Sequence, residues 1–229
     1  MVYCPVKKKI SHLYLLSYRN WMDRLIHRKT LLKLDTHLSF PFIYEENDQT
    51  YIIPENSQSG SLFIYTYNQK YQKLEFPQKL IQAPVVDPVV TKLNNTYFLL
   101  CTSLNFDQDA DLLIYYSDNL FGPYIPFFDN PVKQDITSAR SGGGLYIYND
   151  HLCTQNSFKS YGASLYICQI KSIDKNKFKE EKSINILPDT QYRHGLHTLN
   201  YKENICVVDG LKYIFKPLVK IKRKLSVIK

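Results

Sequence analysis
The chain has 229 residues, 44% of them apolar, with 29 Lys and Arg against 21 Asp and Glu for a formal charge of +8. That length can bury a real core, nothing in it forces a second domain, and no apolar run reaches the ~18 residues of a spanning helix. Nineteen Tyr and twelve Phe favour strands over helices.

Much of the basic excess sits at Lys7 to Lys9 and in the tail Lys216 to Lys229, KPLVKIKRKLSVIK. Both read first as solvated ends, and nucleic acid is not expected. The tail alternates cations with Leu, Val and Ile, so it can also touch a partner protein or anionic headgroups at a membrane surface. The N-terminus has neither an apolar core nor a small-residue cleavage site, so no secretory leader is expected. Five cysteines are odd in number and lack a CxxC pair. That points to a reducing, cytoplasmic compartment and away from disulfides or zinc. Cys101, Cys153 and Cys206 fall in the second strand of successive repeats and are expected in the core, as is Cys168.

In chain order, Ile10 to Ser17 reads as a strand, and Trp21 to Leu34 as a short amphipathic helix or a strand pair. From His37 a pattern of strand, polar turn, strand, loop and strand repeats. Its first copy has strands Phe42 to Tyr44, Tyr51 to Ile53 and Leu62 to Tyr67. The second has Val89-Val90, Tyr97 to Cys101 and Leu112 to Tyr116. The third has Leu145 to Tyr148, Leu152 to Thr154 and Leu165 to Ile170. A partial copy follows, with Thr198 to Tyr201 and Ile205 to Val208. The third strands begin at Leu62, Leu112 and Leu165, at spacings of 50 and 53 residues. A period near fifty with three or four strands per unit predicts an all-β, five-bladed propeller-like domain over residues 1–229. Its units are 37–85, 86–137, 138–190 and 191–215, with 1–36 supplying an incomplete first blade and 216–229 the basic tail. An ordinary β-sandwich is the alternative.

In a propeller the innermost strands line a central channel and the loops at their ends form the ligand face. Just before the first strand of each unit lie His37, Asp87, Arg140, and His194 or His197. Just after the second lie Glu55, Thr102, Gln155 and Asp209. Equivalent turn positions in a scaffold repeat usually carry one small residue, whereas these carry different polar and ionisable groups. Asp87 and Asp209 can equally cap turns. Carboxylates, Gln, His and Arg match sugar hydroxyls, and rings such as that of Tyr161 can stack on sugars. Glu55, Asp87 and Asp209 are therefore the candidate catalytic carboxyls, with Glu55 as proton donor and Asp87 as base or its electrostatic tuner. His37, Arg140, Gln155, Tyr161, His194 and His197 are the candidate substrate contacts. Arg140 followed by Ser141 and three glycines can alternatively seat a phosphate or simply bend the chain. No metal site or cofactor is expected, since His194 and His197 lack further ligands of fixed geometry.

Several phrases together, HLSFPFIYEENDQTYIIPE (37–55), VDPVV (86–90), LFGPYIPFFDNPV (120–132), SARSGGGLY (138–146), TQNSFKSYGASL (154–165), HGLHTLN (194–200) and VVDG (207–210), resemble one propeller family. It is the family of the N-terminal domain of glucosamine inositolphosphorylceramide transferases, and its fold is similar to the five-bladed hydrolases of arabinan, xylosides and levan. The resemblance implies work on a glycan or sugar conjugate, linked to surface polysaccharide or glycolipid synthesis. It does not by itself imply catalysis or transferase activity. Family members usually carry a further blade with an Asp-Pro-Phe motif. None precedes His37, so the resemblance implies a shortened propeller whose missing carboxylate would leave hydrolysis broken. An accessory binding module and an inactive, truncated family member are thus the alternative readings.

Overall fold
In the computed structural model the described residues are 2–3, 12–18, 25–146, 150–202 and 205–213, and the fold is built from strands in five antiparallel sheets. The first holds β1 (Val2–Tyr3), β2 (His12–Tyr18) and β3 (Leu25–Lys33). The second is a four-strand meander of β4 (Ser39–Glu46), β5 (Gln49–Glu55), β6 (Leu62–Asn68) and β7 (Lys73–Ile81). In the third, β8 (Val85–Leu93), β9 (Thr96–Ser103) and β10 (Asp111–Ser117) are followed by the short edges β11 (Ile125–Pro126) and β12 (Lys133–Gln134). The fourth is β13 (Ser141–Tyr146), β14 (His151–Asn156), β15 (Ser164–Ile173) and β16 (Phe178–Ile186). The fifth pairs β17 (Leu199–Lys202) with β18 (Ile205–Val208). This is the propeller-like all-β fold, and the segment read as helix or strand pair supplies β3.

Side-chain alternation stacks the sheets. Along β9, Tyr97, Leu99 and Cys101 pack toward the second sheet against Ile53, Leu62 and Ile64. Their neighbours Phe98 and Leu100 point the other way, onto Leu152 and Ile170 of the fourth sheet. Successive strand residues face opposite sides, so a strand buried on both faces reads as an unbroken apolar run. The same division recurs on either side. Ile52 meets Leu31 of the first sheet, while Cys153, Leu165 and Ile167 meet Leu196 and Leu199 beside the fifth. Contacts run in order from β4 to β8, β8 to β13 and β13 to β17, which makes these the inner strands. Lys202 reaches back from the tip of the fifth sheet to Glu45 of the second, at 2.6 Å.

Cys101, Cys153 and Cys168 are buried as the strand pattern requires, whereas Cys206 is exposed. The expectation of a core thiol fails there because no further strand covers that face of the two-stranded fifth sheet among the described residues. Cys4, Lys7 to Lys9, Trp21 and the tail from Lys216 lie outside the described residues.

Candidate functional site
Three of the four inner strands are interrupted at the same place. The pairing slips between Ser39 and Phe42 in β4, between Val86 and Val89 in β8, and between Ser141 and Leu145 in β13. Phe40 (φ 36°), Asp87 (φ 47°) and Gly143 (φ 151°) sit inside these bulges with positive φ. A bulge leaves one residue unpaired and re-aims its side chain. At Asp87 it turns a carboxylate inward, and the left-handed backbone of a non-glycine residue is the kind of strain that gathers at functional sites.

Asp87 of the third sheet meets buried polar side chains from the second and fourth. Glu55 comes from the end of β5, and Arg140 and Gln155 flank the start of β13 and the end of β14; Glu55, Asp87 and Arg140 are 7%, 4% and 7% exposed and Gln155 is fully buried. Arg140 Nε donates to Asp87 Oδ2 at 2.6 Å and Nη1 to Asp109 Oδ1 at 2.8 Å. Gln155 Nε2 donates to the same Asp87 oxygen at 2.8 Å and to the Ser141 carbonyl at 2.6 Å. The Asp87 backbone N–H donates to Glu55 Oε2 at 3.3 Å.

Burial, and secondarily the charge of Asp87, pushes the Glu55 carboxyl up to about 8. It is therefore held as the neutral acid near pH 7. Glu55 Oε2 accepts the Asp87 backbone N–H, so the acid sits against the strand that carries Asp87. Glycoside cleavage sets its two carboxyls about 5–5.5 Å apart for retention or about 6.5–9.5 Å apart for inversion. The pair here is not laid out as two carboxyls free to face a substrate, because Asp87 Oδ2 is held by both Arg140 and Gln155. It is instead a protonated acid beside a carboxylate that is neutralised by a guanidinium.

Tyr161 joins this cluster to a second one. Its ring lies 4.8 Å from the Arg140 guanidinium carbon and 5.3 Å from the His197 ring. His197 Nδ1 contacts Asp209 Oδ2, and Asp209 Oδ1 accepts the N–H groups of His197 and Thr198 at 3.0 and 2.7 Å. Burial works to raise the Asp209 carboxyl, but these donors hold it below the usual range. Gly162 permits the junction: a Cβ there would stand 2.4 Å from His197 Cβ, on a backbone already at φ 61°.

Of the residues singled out in the sequence, Glu55, Asp87, Arg140, Gln155, Tyr161, His197 and Asp209 lie at one end of the sheets in these two linked clusters. His37 and His194 are placed differently. The hairpin register makes Phe40, three residues beyond His37, the equivalent of Asp87, because Ser39 pairs with Glu55 as Val86 pairs with Thr102. The His37 N–H instead bonds Gln58 Oε1 at 3.0 Å, and partial burial lowers its imidazole pKa. His194 stacks at 4.6 Å on Tyr213, whose N–H it accepts. By the same register Thr154, not Gln155, matches Glu55 and Thr102. Gln155 is paired with Leu165 of β15 but stands one residue beyond the last β13–β14 pair, Ser141 with Thr154.

Asp109 was not legible as a site residue, since it has no counterpart in the other repeats; its signal was only the acidic spacing Asp107, Asp109, Asp111 in a long loop. Asn56 Oδ1, Thr102 Oγ1, Ser141 Oγ and Gln155 Oε1 are also buried near these strand ends without a hydrogen-bond partner in the protein. Buried polar atoms are seldom left so. The open depressions lined by Leu93 and Asp150 (≈ 270 Å³) and by Glu45 to Thr50 (≈ 300 Å³) lie at the opposite, hairpin end. Among the described residues no three His, Cys, Asp or Glu side chains gather as metal ligands, and no helix is long and apolar enough to cross a membrane.

The sequence profile of the glucosamine inositolphosphorylceramide transferase 1 N-terminal region matches residues 26–204. Glucosamine inositolphosphorylceramide transferase 1 of Arabidopsis thaliana and that of Oryza sativa subsp. japonica are each 26% identical over 151 residues, 63% of this chain. The chain spans about a fifth of the length of those relatives, 20% in each case. Among solved structures, a GH43 protein of Bacillus licheniformis has a TM-score of 0.55 at 13% identity, covering 80% of this chain and 40% of that one. An exo-1,5-α-L-arabinanase from a bovine ruminal metagenomic library has a TM-score of 0.54 at 10% identity, covering 74% and 68%. These neighbours establish the propeller architecture.

Proposed function
This chain belongs to the family of the glucosamine inositolphosphorylceramide transferase 1 N-terminal region, and from that premise we propose that it binds a sugar or sugar conjugate at the Asp87–Arg140 end of the propeller. The observation that carries the reading is the convergence of Glu55, Asp87, Arg140 and Gln155 from three sheets, buried and mutually bonded, beside partnerless polar atoms. A sugar presents several hydroxyls that each donate and accept. The neutral Glu55 acid donates, Asp87 accepts, and the unpaired Gln155 Oε1 and Thr102 Oγ1 supply the matching valences. Tyr161, half exposed over the guanidinium, offers ring surface to the C–H face of a sugar. The names of the family and of the arabinanase neighbour are consonant with a carbohydrate ligand. The finer role is recognition of the sugar portion of a surface glycan or glycolipid under construction.

Binding is favoured over cleavage because the Asp87 carboxylate is tied to Arg140 and Gln155 rather than free to act as base or nucleophile. The reading is tested by thermal unfolding of the whole chain against sugars, nucleotide sugars and glycan fragments. A ligand at a hundred times its Kd stabilises the folded state by about 2.7 kcal/mol. The expected result is one responding sugar class whose shift is lost in Gln155→Leu. A panel without response, or a response unchanged by that substitution, overturns the proposal.

A further inference from the structure
The sugar-site end carries a second feature that the cluster does not use. Three neighbouring loops each pair an exposed aromatic or aliphatic side chain with an exposed cation. One holds Phe158, 70% exposed, beside Lys159; the next holds Tyr192, 40% exposed, beside Arg193. The third holds Leu211 and Tyr213, 41% and 70% exposed, on either side of Lys212. The loops are contiguous in space. Leu196 N–H donates to the Gly162 carbonyl at 2.8 Å, Gly195 and Leu211 bond each other, and the Tyr192 ring packs against Gly210. Their acidic groups are engaged: Asp209 with His197, and Asp189 with the Tyr192 N–H at 2.7 Å.

We propose that this face docks on an anionic lipid bilayer, with Phe158, Tyr192 and Tyr213 at headgroup depth and Lys159, Arg193 and Lys212 on the headgroup phosphates. Amphipathic rings settle at the membrane interface, and cations flanking them gain from the negative surface potential. The sequence leading out of this face adds to the same charge. Beyond Tyr213 come Lys216, Lys220, Lys222, Arg223, Lys224 and Lys229, with no Asp or Glu among them. A soluble acidic protein would match the cations but not the exposed Phe158, Leu211 and Tyr213 between them. The inference goes beyond sugar binding and stands independently of it, although docking would turn the Arg140 cluster toward the headgroups.

Co-sedimentation of the full chain with vesicles of phosphatidylcholine, alone or mixed with phosphatidylserine, is the test. Binding is expected only to the mixed vesicles, weakening as salt rises. Each interfacial cation contributes about fivefold to partitioning, so Lys159→Gln with Arg193→Gln and Lys212→Gln should weaken it about a hundredfold. Phe158→Ser alone should weaken it severalfold, with melting temperature unchanged because the side chain is exposed. Absent or lipid-independent binding overturns the proposal. So does binding lost on neutralising Lys220 to Lys224 but indifferent to the loop substitutions, since the tail would then act alone. Displacement from the vesicles by a single-stranded oligonucleotide, with tighter binding to it, also overturns it.

Discussion
Glu55 has a titration that separates its role from that of its neighbours. In the unfolded chain its carboxyl ionises near 4.5, while burial and Asp87 move it to about 8 in the fold. The folded state then holds one proton more between those values, so the stability Glu55 contributes is complete below about pH 4.5 and is lost as pH rises through 8. Glu55→Gln should remove that slope. Its amide oxygen can still accept the Asp87 N–H, so the variant should equal the parent near pH 5 and exceed it in stability above pH 8. Urea unfolding across this range checks it, and parallel curves for the two proteins would show that Glu55 is ionised in the fold. Asp87→Ala is expected to be harsher. It leaves Arg140, with an 8% exposed side chain, dependent on Asp109, whose side chain is 36% exposed. Breaking a buried pair costs about 3–5 kcal/mol. Denaturant midpoints should show the loss, with Asp109→Ala well below it.

At the scale of the element, the bulges decide which residues meet. Gly162→Ala probes the next level, where the loop after β14 closes on the segment before β17. The added methyl meets His197 Cβ at 2.4 Å on a left-handed backbone. It should cost about 2–3 kcal/mol and displace the His197–Asp209 pair. Histidine resonances that report this pair in NMR would move even where the fold survives. Much at this level was legible in the sequence. The strands announced themselves because β8 and β9 are buried on both faces and read as VVDPVV and YFLLC, and the polar turns between them fixed the repeat. The bulge was not legible. β4 and β8 carry the same one-residue slip, so the bulge does not separate His37 from Asp87. The three-residue offset arises because the polar residue before the strand, rather than the strand pairing, sets that equivalence, and the pairing puts Phe40 there. Asp109 was hidden for the related reason that a long loop has no repeat to align it. Glu55, Asp87 and Arg140 were found because polar groups at successive strand ends converge on one end whatever the local register.

For the whole molecule the question is what holds neighbouring sheets together away from the apolar stack. Among the ion pairs that do so, two lie in contrasting surroundings. Lys202 and Glu45 join the last sheet to the second, but their side chains are 65% and 47% exposed. Such a pair contributes between nothing and about 1 kcal/mol. Lys133 and Glu180 join β12 to β16 with side chains only 17% and 6% exposed. Lys133 Nζ also donates to the Ser138 carbonyl at 2.9 Å, and burial raises the Glu180 pKa despite the lysine beside it. Beside them Lys182 meets Asp135 at 2.7 Å, which adds a second link at this edge. Lys202→Ala should therefore leave the unfolding midpoint nearly unchanged. Lys133→Ala strands a buried Glu180 and should cost about 3 kcal/mol, more at high pH than at low pH, because protonated Glu180 tolerates the loss. Lys133→Ala with Glu180→Leu should recover most of that loss, since neither charge is then buried alone. A double variant no better than Lys133→Ala would mean that the linkage rests on Lys133's hydrogen bonds to Ser138, and that the sheets are joined through the β12–β13 connection itself.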